Sequence, residues 1–309
     1  MGRSPHVTVR VDLRLIRENV ERIALQTRVP IIAVVKADAY GLGADRVVPA
    51  IADLVESFCV FSLSEARALD LWRLTSRPSL AIGPPTLADP QEYLAAHARP
   101  AVSTAAQARE LKEAHPILCV DTGQQRFACP AAEAASIISE GGCDEAFTHA
   151  TNLAQVRAFR QAVGGIVSRM HAAGSSLLGE SEALLHAVRP GLALYRGAVR
   201  VAASLVEVRK STGPAGYSGF ESPYHGVILA GYSHGLRPGP CLVNGRAARV
   251  LEVGMQSAFV QTDATDCAGD EVVLLGDRLT ERQVADAWGT TPQEALVRLT
   301  GAGSRQYVE

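Results

Sequence analysis

Lysine is scarce in this chain, although basic residues are not. Of 30 lysine and arginine residues among 309, only Lys36, Lys112 and Lys210 are lysines, so chemistry that needs a primary amine has three candidates. The 32 acidic residues bring the formal charge to −2, which argues against a polybasic surface for nucleic acid or anionic lipid. We therefore expect no nucleic-acid partner.

Long apolar runs, signal segments and metal-ligand motifs are also missing. The apolar run at residues 31–35 is far below the roughly 20 residues of a membrane span. Charge runs through the first 12 residues, without the apolar stretch of a secretory signal. The six cysteines form no CxxC pair, and the histidines show no HExxH spacing. We expect reduced thiols, no metal site, no membrane partner and a cytoplasmic location.

Short apolar runs alternate with helical patterns through the first two-thirds of the chain. Residues 31–35 are a continuous β-branched run, typical of a buried parallel strand. Comparable segments follow at residues 58–63, 79–83, 100–103, 116–121, 146–149, 168–172 and 188–195. About eight β units with helical crossovers favour an α/β fold of the (β/α)8 TIM-barrel type over an open sheet. We place the barrel at residues 1–200, although the first strand, at about residues 7–12, can belong to the next domain.

The pattern changes after residue 200. Strand-like segments joined by turns rich in glycine, proline and aspartate lie at residues 201–208, 226–230, 241–243, 248–253, 258–262 and 271–275. A short helical tail follows at residues 281–299. We predict a mostly β C-terminal domain over residues 201–309.

Lys36 is the most informative single position. It follows the predicted strand at residues 31–35, and the carboxyl ends of barrel strands form the active-site face. Apolar neighbours there would lower the pKa of the amine and favour imine formation. A lysine at a strand end can also simply reach solvent, and the following Gly41-Leu42-Gly43 resembles part of a dinucleotide fingerprint. That fingerprint lacks its third glycine, which makes it a weak signal.

The surrounding motifs resemble those of the alanine racemase family. AVVKADAYG at residues 33–41 is similar to the family's segment that carries the lysine for pyridoxal 5'-phosphate (PLP). Further resemblances follow in chain order: VDTG at 120–123 with Arg126, Thr148-His149, His171 with Ser175, VRPGLALY at 188–195, GYSHG at 231–235, VGM at 253–255, and Tyr307. They span nearly the whole chain, so we identify it as a divergent member.

The resemblance implies a PLP-dependent racemase. Lys36 would bind the cofactor, and Arg189 would lie at the ring nitrogen without giving up a proton. Other cofactor contacts implied in this way come from Tyr40, His149, His171, Ser175, Gly191, Leu192 and Tyr307. Arg126 and the backbone N–H of Met255 would receive the carboxylate of an amino-acid substrate.

The resemblance also implies two bases and a dimer. Lys36 and Tyr232 would act on opposite faces of the substrate carbon, with His171 and Arg189 forming a relay that helps the Tyr232 phenol. Tyr232 and Met255 belong to the second domain and would complete the active site of a partner subunit. A homodimer with shared sites is therefore expected.

Several positions depart from the family pattern. Cys119 stands where a lysine that becomes carbamylated is common, and Gly174 where an asparagine precedes the serine. His234 and Gln256 each replace an aspartate. Because these changes surround the substrate, we expect a specialised amino acid of secondary metabolism, with alanine as the alternative substrate. Decarboxylation, β-elimination and non-catalytic PLP binding remain alternative interpretations.

Overall fold

Apolar β-branched runs form the strands of the first half of the chain, as the sequence predicts. The computed structural model describes residues 3–85 and 89–309. Its strands are β1 (Ser4–Asp12), β2 (Ile32–Val34), β3 (Ser57–Val60), β4 (Ser79–Ala81), β5 (Ala98–Val102), β6 (Ile117–Cys119), β7 (Glu145–Ala150), β8 (Arg169–Ala173), β9 (Val199–Lys210), β10 (Tyr224–Ile228), β11 (Gly239–Val243), β12 (Arg246–Val253), β13 (Ala258–Gln261), β14 (Glu271–Leu275) and β15 (Gly303–Val308).

Helices alternate with β2 to β8 and return near the end of the chain. The helices are α1 (Leu13–Thr27), α2 (Lys36–Gly41), α3 (Ala44–Ile51), α4 (Leu63–Leu69), α5 (Leu71–Thr75), α6 (Pro90–Ala95), α7 (Ala105–Glu110), α8 (Ala134–Gly141), α9 (Leu153–Val163), α10 (Leu192–Tyr195), α11 (Glu281–Trp288) and α12 (Pro292–Thr300). Short 3-10 segments lie at Ala52–Leu54, Lys112–Ala114, Ala131–Glu133, Ser181–Ala183 and Tyr232–His234. Within the described part of the chain, no helix is long and apolar enough to cross a membrane.

The residues separate into two units. The barrel unit contains Ile16–Ala39 and Ala44–Leu194, and the β unit contains the residues up to Leu15, Tyr40–Gly43 and Tyr195–Glu309. The short segment Tyr40–Gly43 therefore belongs to a different unit from the residues on either side of it.

In the barrel unit, seven parallel strands pair in the order β2 to β8. Between the two edge strands, Ala187 pairs with His171 of β8, and Val188 pairs with Ile31, just before β2. The backbone N–H of Ile32 also donates to the Val188 carbonyl at 2.9 Å. These two residues occupy the eighth strand position, and the barrel fold predicted from the sequence is confirmed.

The prediction of a strand over residues 188–195 holds as far as Pro190, whose carbonyl accepts the N–H of Val34 at 2.9 Å, and is wrong beyond it. Pro190 has no N–H to donate to a ladder. The amides of Gly191 and Ala193 instead donate to Ser175, and Leu194 donates to the Gly191 carbonyl at 2.9 Å. The chain therefore turns into the short helix α10.

The interior of the barrel unit is apolar and closely packed. Its buried cluster is formed by Leu80, Ala101, Ile117, Cys119 and Phe147. Leu80, Ala101 and Phe147 lie on β4, β5 and β7, and the other two residues both lie on β6. Together they pack in the space that the strands enclose.

The β unit contains a second sheet of eight strands. Its order is β10-β13-β12-β11-β14-β9-β1-β15, and β10 also pairs with β9, which closes six of the strands into a barrel. β1 is antiparallel to β9 and parallel to β15. The predicted mostly β C-terminal domain is therefore confirmed, although the sequence analysis did not identify β15.

Candidate functional site

Lys36 begins a turn of unusual handedness. The four residues Ala37, Asp38, Ala39 and Tyr40 all have φ between 52° and 59°. A left-handed helical conformation costs roughly 1–2 kcal/mol per residue for side chains that carry a Cβ. Such a run persists only where the surrounding structure compensates for it.

Glu65 supplies much of that compensation. Its carboxylate accepts the backbone N–H of Ala37 at 2.5 Å and that of Phe61 at 2.7 Å. Asp38 adds a second contact by accepting the N–H of Ala44 at 2.8 Å. Glu65 of α4 thus links the turn after Lys36 to Phe61, the residue that follows β3. The sequence analysis missed Glu65, although Ser62 and Glu65 have the spacing of a capping box.

Arg189 is buried and held from two sides. Its Nη2 donates to the Thr148 carbonyl at 2.6 Å, and its Nη1 donates to Nδ1 of His171. The guanidinium carbon lies 4.6 Å from the centroid of the Phe147 ring. Because the Phe147 ring also stacks on the imidazole of His171, the guanidinium has little freedom to turn.

His171 lies between a cation and an anion. Its Nε2 is 2.9 Å from Oε1 of Glu145, on the side opposite Arg189. Burial and the charge of Arg189 lower the pKa of His171 to about 4, so the ring is neutral at pH 7. Both ring nitrogens of His171 face charged groups in this chain, and the expected relay from His171 to Tyr232 stays a prediction. The observed path runs from Arg189 through His171 to Glu145.

His149 lies among three cations. Partial burial and the charges of Arg189, Lys36 and Arg126 lower its pKa to about 4. The structure therefore brings together four of the residues that the sequence analysis selected. A neutral imidazole surrounded by an amine and two guanidinium groups is an environment suited to a small anionic ligand.

Cys119 does not provide a counter-charge for Arg126. Burial raises the pKa of this thiol to about 12, against the opposing effect of Arg189. The thiol is consequently neutral, and Arg126 lacks the nearby anion that a carbamylated lysine would provide. The loop before Arg126 is instead fixed by Asp121, which accepts the N–H groups of Gly123 at 2.8 Å and Gln125 at 3.0 Å.

Gly174 leaves room beside the same cluster. A Cβ built at this position would have only ordinary contacts, at 3.9 Å, with the Arg189 carbonyl and Cε1 of His149. The departure at residue 174 therefore removes both a polar side chain and its volume.

Ser175 organises the predicted phosphate segment. Its hydroxyl oxygen accepts the backbone N–H of Gly191 at 3.0 Å and that of Ala193 at 3.0 Å. Leu192, the other predicted backbone ligand, is the first residue of α10. The structure thus brings Ser175, Gly191 and Leu192 together at one end of the barrel unit.

Tyr40 and Tyr307 both belong to the β unit. The Tyr40 ring lies 5.0 Å from the ring of Tyr195, and its carbonyl accepts the hydroxyl of Thr300 at 2.8 Å. Tyr307 donates its hydroxyl to the carbonyl of Leu42, two residues along the chain from Tyr40. One predicted phosphate ligand, Tyr40, therefore belongs to the segment Tyr40–Gly43, and the other, Tyr307, binds that segment through Leu42.

Tyr232 and Met255 form one exposed patch of the β unit. The side chains are 54% and 61% exposed, and the loops that carry them are hydrogen bonded. Tyr232 N–H donates to the Gly254 carbonyl at 2.9 Å, and Ser233 N–H to that of Met255 at 3.1 Å. Glycine is required at position 231, because a Cβ there would lie 2.2 Å from the Met255 carbonyl oxygen.

His234 has a structural explanation. Its Nδ1 accepts the backbone N–H of Gly231 at 3.1 Å and so caps the 3-10 turn that carries Tyr232. A carboxylate would accept the same hydrogen bond. Replacement of the family's aspartate therefore preserves this turn.

Two sequence models of protein families match most of the chain. One, described as alanine racemase, N-terminal domain, matches residues 11–199, and the other, alanine racemase, C-terminal domain, matches residues 218–307. Alanine racemase of Streptococcus equi subsp. equi is 28% identical, over 96% of this chain and 97% of the relative. The biosynthetic alanine racemase of Escherichia coli K12 is also 28% identical, over 98% and 99% of the two chains.

Solved structures show the same fold. The biosynthetic alanine racemase of Pseudomonas aeruginosa has a TM-score of 0.87 and 26% identity, and the match covers 99% of this chain and 100% of that one. The alanine racemase of Bartonella henselae, solved with covalently bound pyridoxal phosphate, has a TM-score of 0.86 and 22% identity, with the same coverage.

Proposed function

The chain belongs to the alanine racemase family, and we propose that it is a PLP-dependent amino-acid racemase that uses Lys36 and Tyr232 as its two bases. The observation that carries the proposal is the cluster of Lys36, Arg126 and Arg189 around His149 in the barrel unit. The amine of Lys36 suits the cofactor aldehyde, the guanidinium of Arg189 suits the ring nitrogen, and that of Arg126 suits a substrate carboxylate.

The residues present fit PLP. Lys36 supplies the amine that binds the cofactor, and Arg189 offers N–H donors to the ring nitrogen while having no acceptor for a proton. Tyr40, His149, His171, Ser175, Gly191, Leu192 and Tyr307 complete the proposed cofactor contacts. When bound, PLP supplies an electron-withdrawing ring that acidifies the α-hydrogen of an amino acid.

The protein's part in the reaction is to position groups and move protons. Arg126 binds the substrate carboxylate, helped by the backbone N–H of Met255. Nζ of Lys36 takes or returns a proton on one face of the α-carbon, and the phenolic oxygen of Tyr232 does so on the other. Removal by one base followed by return from the other inverts the configuration.

We propose a homodimer in which Tyr232 and Met255 serve the partner's site. The support is their exposure in a patch held by hydrogen bonds rather than by core packing. A monomer with full activity would contradict this assembly. The cytoplasmic location stays a prediction.

We further propose that the substrate is a specialised amino acid rather than alanine. The support comes from Cys119, whose neutral thiol gives Arg126 no counter-charge, and from Gly174, which leaves space beside His149. Both changes bear on how the substrate is oriented and how large it can be. Secondary metabolism is a reasonable context for such a substrate.

Incorporation of solvent deuterium at the α-carbon tests the proposal. Purified protein with PLP is incubated in D2O with each of a panel of L- and D-amino acids, alanine included, and exchange and inversion are followed by mass spectrometry and chiral chromatography. We expect inversion of one amino acid at a rate well above that of alanine. Efficient alanine interconversion would contradict the specialised substrate. Exchange with no amino acid would contradict the racemase and favour a PLP carrier, while release of carbon dioxide or of a β-substituent would indicate another PLP reaction.

A further inference from the structure

Besides Arg189, the barrel unit buries the charged group of Glu145, the first residue of β7. It is buried, and its carboxylate contacts Nη1 of Arg99 at 2.5 Å and Nε of Arg169 at 3.0 Å. Burial alone would raise the pKa of Glu145, but His171 and the two arginines hold it at about 2. Glu145 is therefore an anion at every physiological pH.

The two arginines are themselves tied to acids nearer the surface. Arg99 contacts Asp144 at 2.7 Å, and Arg169 is paired with Glu56. Glu145, Arg99 and Arg169 line a small cavity at the amino ends of the strands, together with Glu56. A continuous set of charge contacts thus leads from this cavity through Glu145 and His171 to Arg189.

We propose that Glu145 is a positioning residue for Arg189, which it aims by holding His171 in the tautomer protonated at Nε2. The inference rests on the proposed function, because Arg189 is there assigned to the ring nitrogen of PLP. Glu145 acts on Arg189 through its contact with His171.

The donor and acceptor chemistry leads to a single tautomer. Arginine has only N–H donors, so the nitrogen that it contacts, Nδ1 of His171, must be the acceptor. The proton of the neutral ring is then on Nε2, which lies 2.9 Å from the Glu145 carboxylate. The other tautomer would set two N–H groups against each other at Arg189 and two acceptors against each other at Glu145.

The tautomer in turn fixes the guanidinium. With Nδ1 as acceptor, Nη1 of Arg189 is held at His171 while Nη2 is held at the Thr148 carbonyl. These contacts use only part of the five N–H donors of a guanidinium. The remaining donors keep one direction, whereas the alternative tautomer would repel Nη1 and allow the group to turn.

The isosteric change Glu145→Gln tests this role. An amide has half the acceptor capacity of a carboxylate and adds N–H donors. In the wild type Oε2 of Glu145 accepts from Arg99, while Oε1 faces both Arg169 and His171. If the amide oxygen stays with Arg99, the NH2 group takes the Oε1 position and faces Nε2 of His171. We expect part of the His171 population to shift to the tautomer protonated at Nδ1, and PLP to bind about tenfold more weakly to the apoenzyme, as for the loss of one charge-assisted hydrogen bond.

The measurement is 15N NMR of the histidine rings in the PLP-bound protein, with the His171 signal identified by its absence in His171→Gln. The matched control is Glu182→Gln, which removes an exposed ion pair with Arg157 in the same unit. The control should leave both the tautomer and PLP affinity unchanged. Glu145→Asp, which keeps the charge, should restore the wild-type tautomer at least in part.

The wild-type spectrum alone can overturn the proposal. A His171 ring that is charged at pH 7, or protonated at Nδ1, would contradict it even if Glu145→Gln fails to fold. So would a folded Glu145→Gln protein with the wild-type tautomer and PLP affinity. If the wild type bound no PLP and inverted no amino acid, the proposed function would fail, while the tautomer would still be measured in the protein without cofactor.

Discussion

Tyr307 donates its hydroxyl hydrogen to the backbone carbonyl of Leu42 at 2.9 Å. The bond joins the last strand, β15, to the segment Tyr40–Gly43 of the β unit. The next residue, Gly43, has φ of +93°, and a Cβ there would lie 2.0 Å from the same hydroxyl oxygen. The close approach of Tyr307 therefore depends on the absence of a side chain at residue 43.

Gly43→Ala is expected to destabilise the protein by about 3 kcal/mol, since it combines a strained backbone with displacement of Tyr307. Tyr307→Phe should cost only about 1 kcal/mol, for the one hydrogen bond. Urea unfolding measures both. The control is Gly245→Ala, where φ is +76° but a Cβ meets nothing within 4 Å. A loss at Gly43 no larger than at Gly245 would show that the hydroxyl does not need this space.

Lys36→Ala is expected to abolish the absorbance band of covalently bound PLP, because the amine that forms the bond is gone. Lys112→Ala removes an exposed lysine from a 3-10 segment and should leave the band unchanged. Absorbance spectra of the two purified variants with added PLP decide the matter. A band that persists without Lys36 would mean that another amine binds the cofactor.

Tyr232→Phe is expected to slow inversion of the substrate by at least about a hundredfold, the usual contribution of a positioned acid or base. Deuterium exchange on the face served by Lys36 should be less affected, so exchange and inversion should separate. Tyr217→Phe changes the most exposed tyrosine of the β unit and serves as the control, expected to leave both rates unaltered. Equal inversion rates in the wild type and Tyr232→Phe would exclude the phenol as a base.

Glu65→Gln is expected to destabilise the turn after Lys36, because an amide can no longer offer one oxygen to Ala37 and another to Phe61. We expect a loss of about 1–3 kcal/mol in unfolding free energy and slower reaction of Lys36 with PLP. Glu92→Gln removes an exposed ion pair with Arg67 and should cost less than about 1 kcal/mol. Similar losses in the two variants would mean that Glu65 is an ordinary surface acid.

Stability should fall as the pH falls below neutrality. The pKa of His171 is about 4 in the folded protein, against 6.5 for the ordinary group. Between these pH values the His171 ring binds a proton in the unfolded chain but not in the folded one. The contribution of His171 to stability is therefore complete above pH 6.5 and decreases toward pH 4. We expect His171 to account for about 2 kcal/mol of the loss between pH 7 and pH 5, and His149, whose pKa is also lowered to about 4, to add to that loss.

Urea unfolding at the two pH values, with His171→Gln as the comparison, measures this effect. A glutamine does not titrate, so the variant should lose about 2 kcal/mol less over the same interval. An equal loss in both proteins would assign the pH dependence to other groups. Glu145 affects the pH dependence of stability only below pH 5, because its stabilising charge is lost as the pH falls from 4.5 toward 2.

The sequence predicts the barrel because a long series of buried parallel strands leaves a strong local signal. It fails at residues 191–195, where apolar residues suggest a strand but Ser175, distant in sequence, binds the amides that a strand would use. It also misses β15, which pairs with β1, a strand far away in the sequence.

The residues of the site divide in the same way into those that a local sequence pattern identifies and those that only the fold identifies. Lys36 and Arg189 stand in motifs that can be recognised by resemblance. Glu65 and Glu145 do not, since an acid in a helix or at a strand start has many ordinary roles. Their effect on Lys36 and Arg189 depends on contacts across the fold, and no local pattern shows a left-handed turn at Ala37 or the tautomer of His171.

The pairing of β1 bears on the order in which the protein can fold while it is being made. β1 is synthesised before both of its partners, β9 and β15, and nearly the whole described chain lies between β1 and β15. All seven paired strands of the barrel unit, and the bridging residues, are available once Arg189 has been added. A nascent or truncated chain that lacks β15 leaves one edge of β1 open, and open strand edges promote aggregation. Loss of β15 should therefore expose one edge of β1.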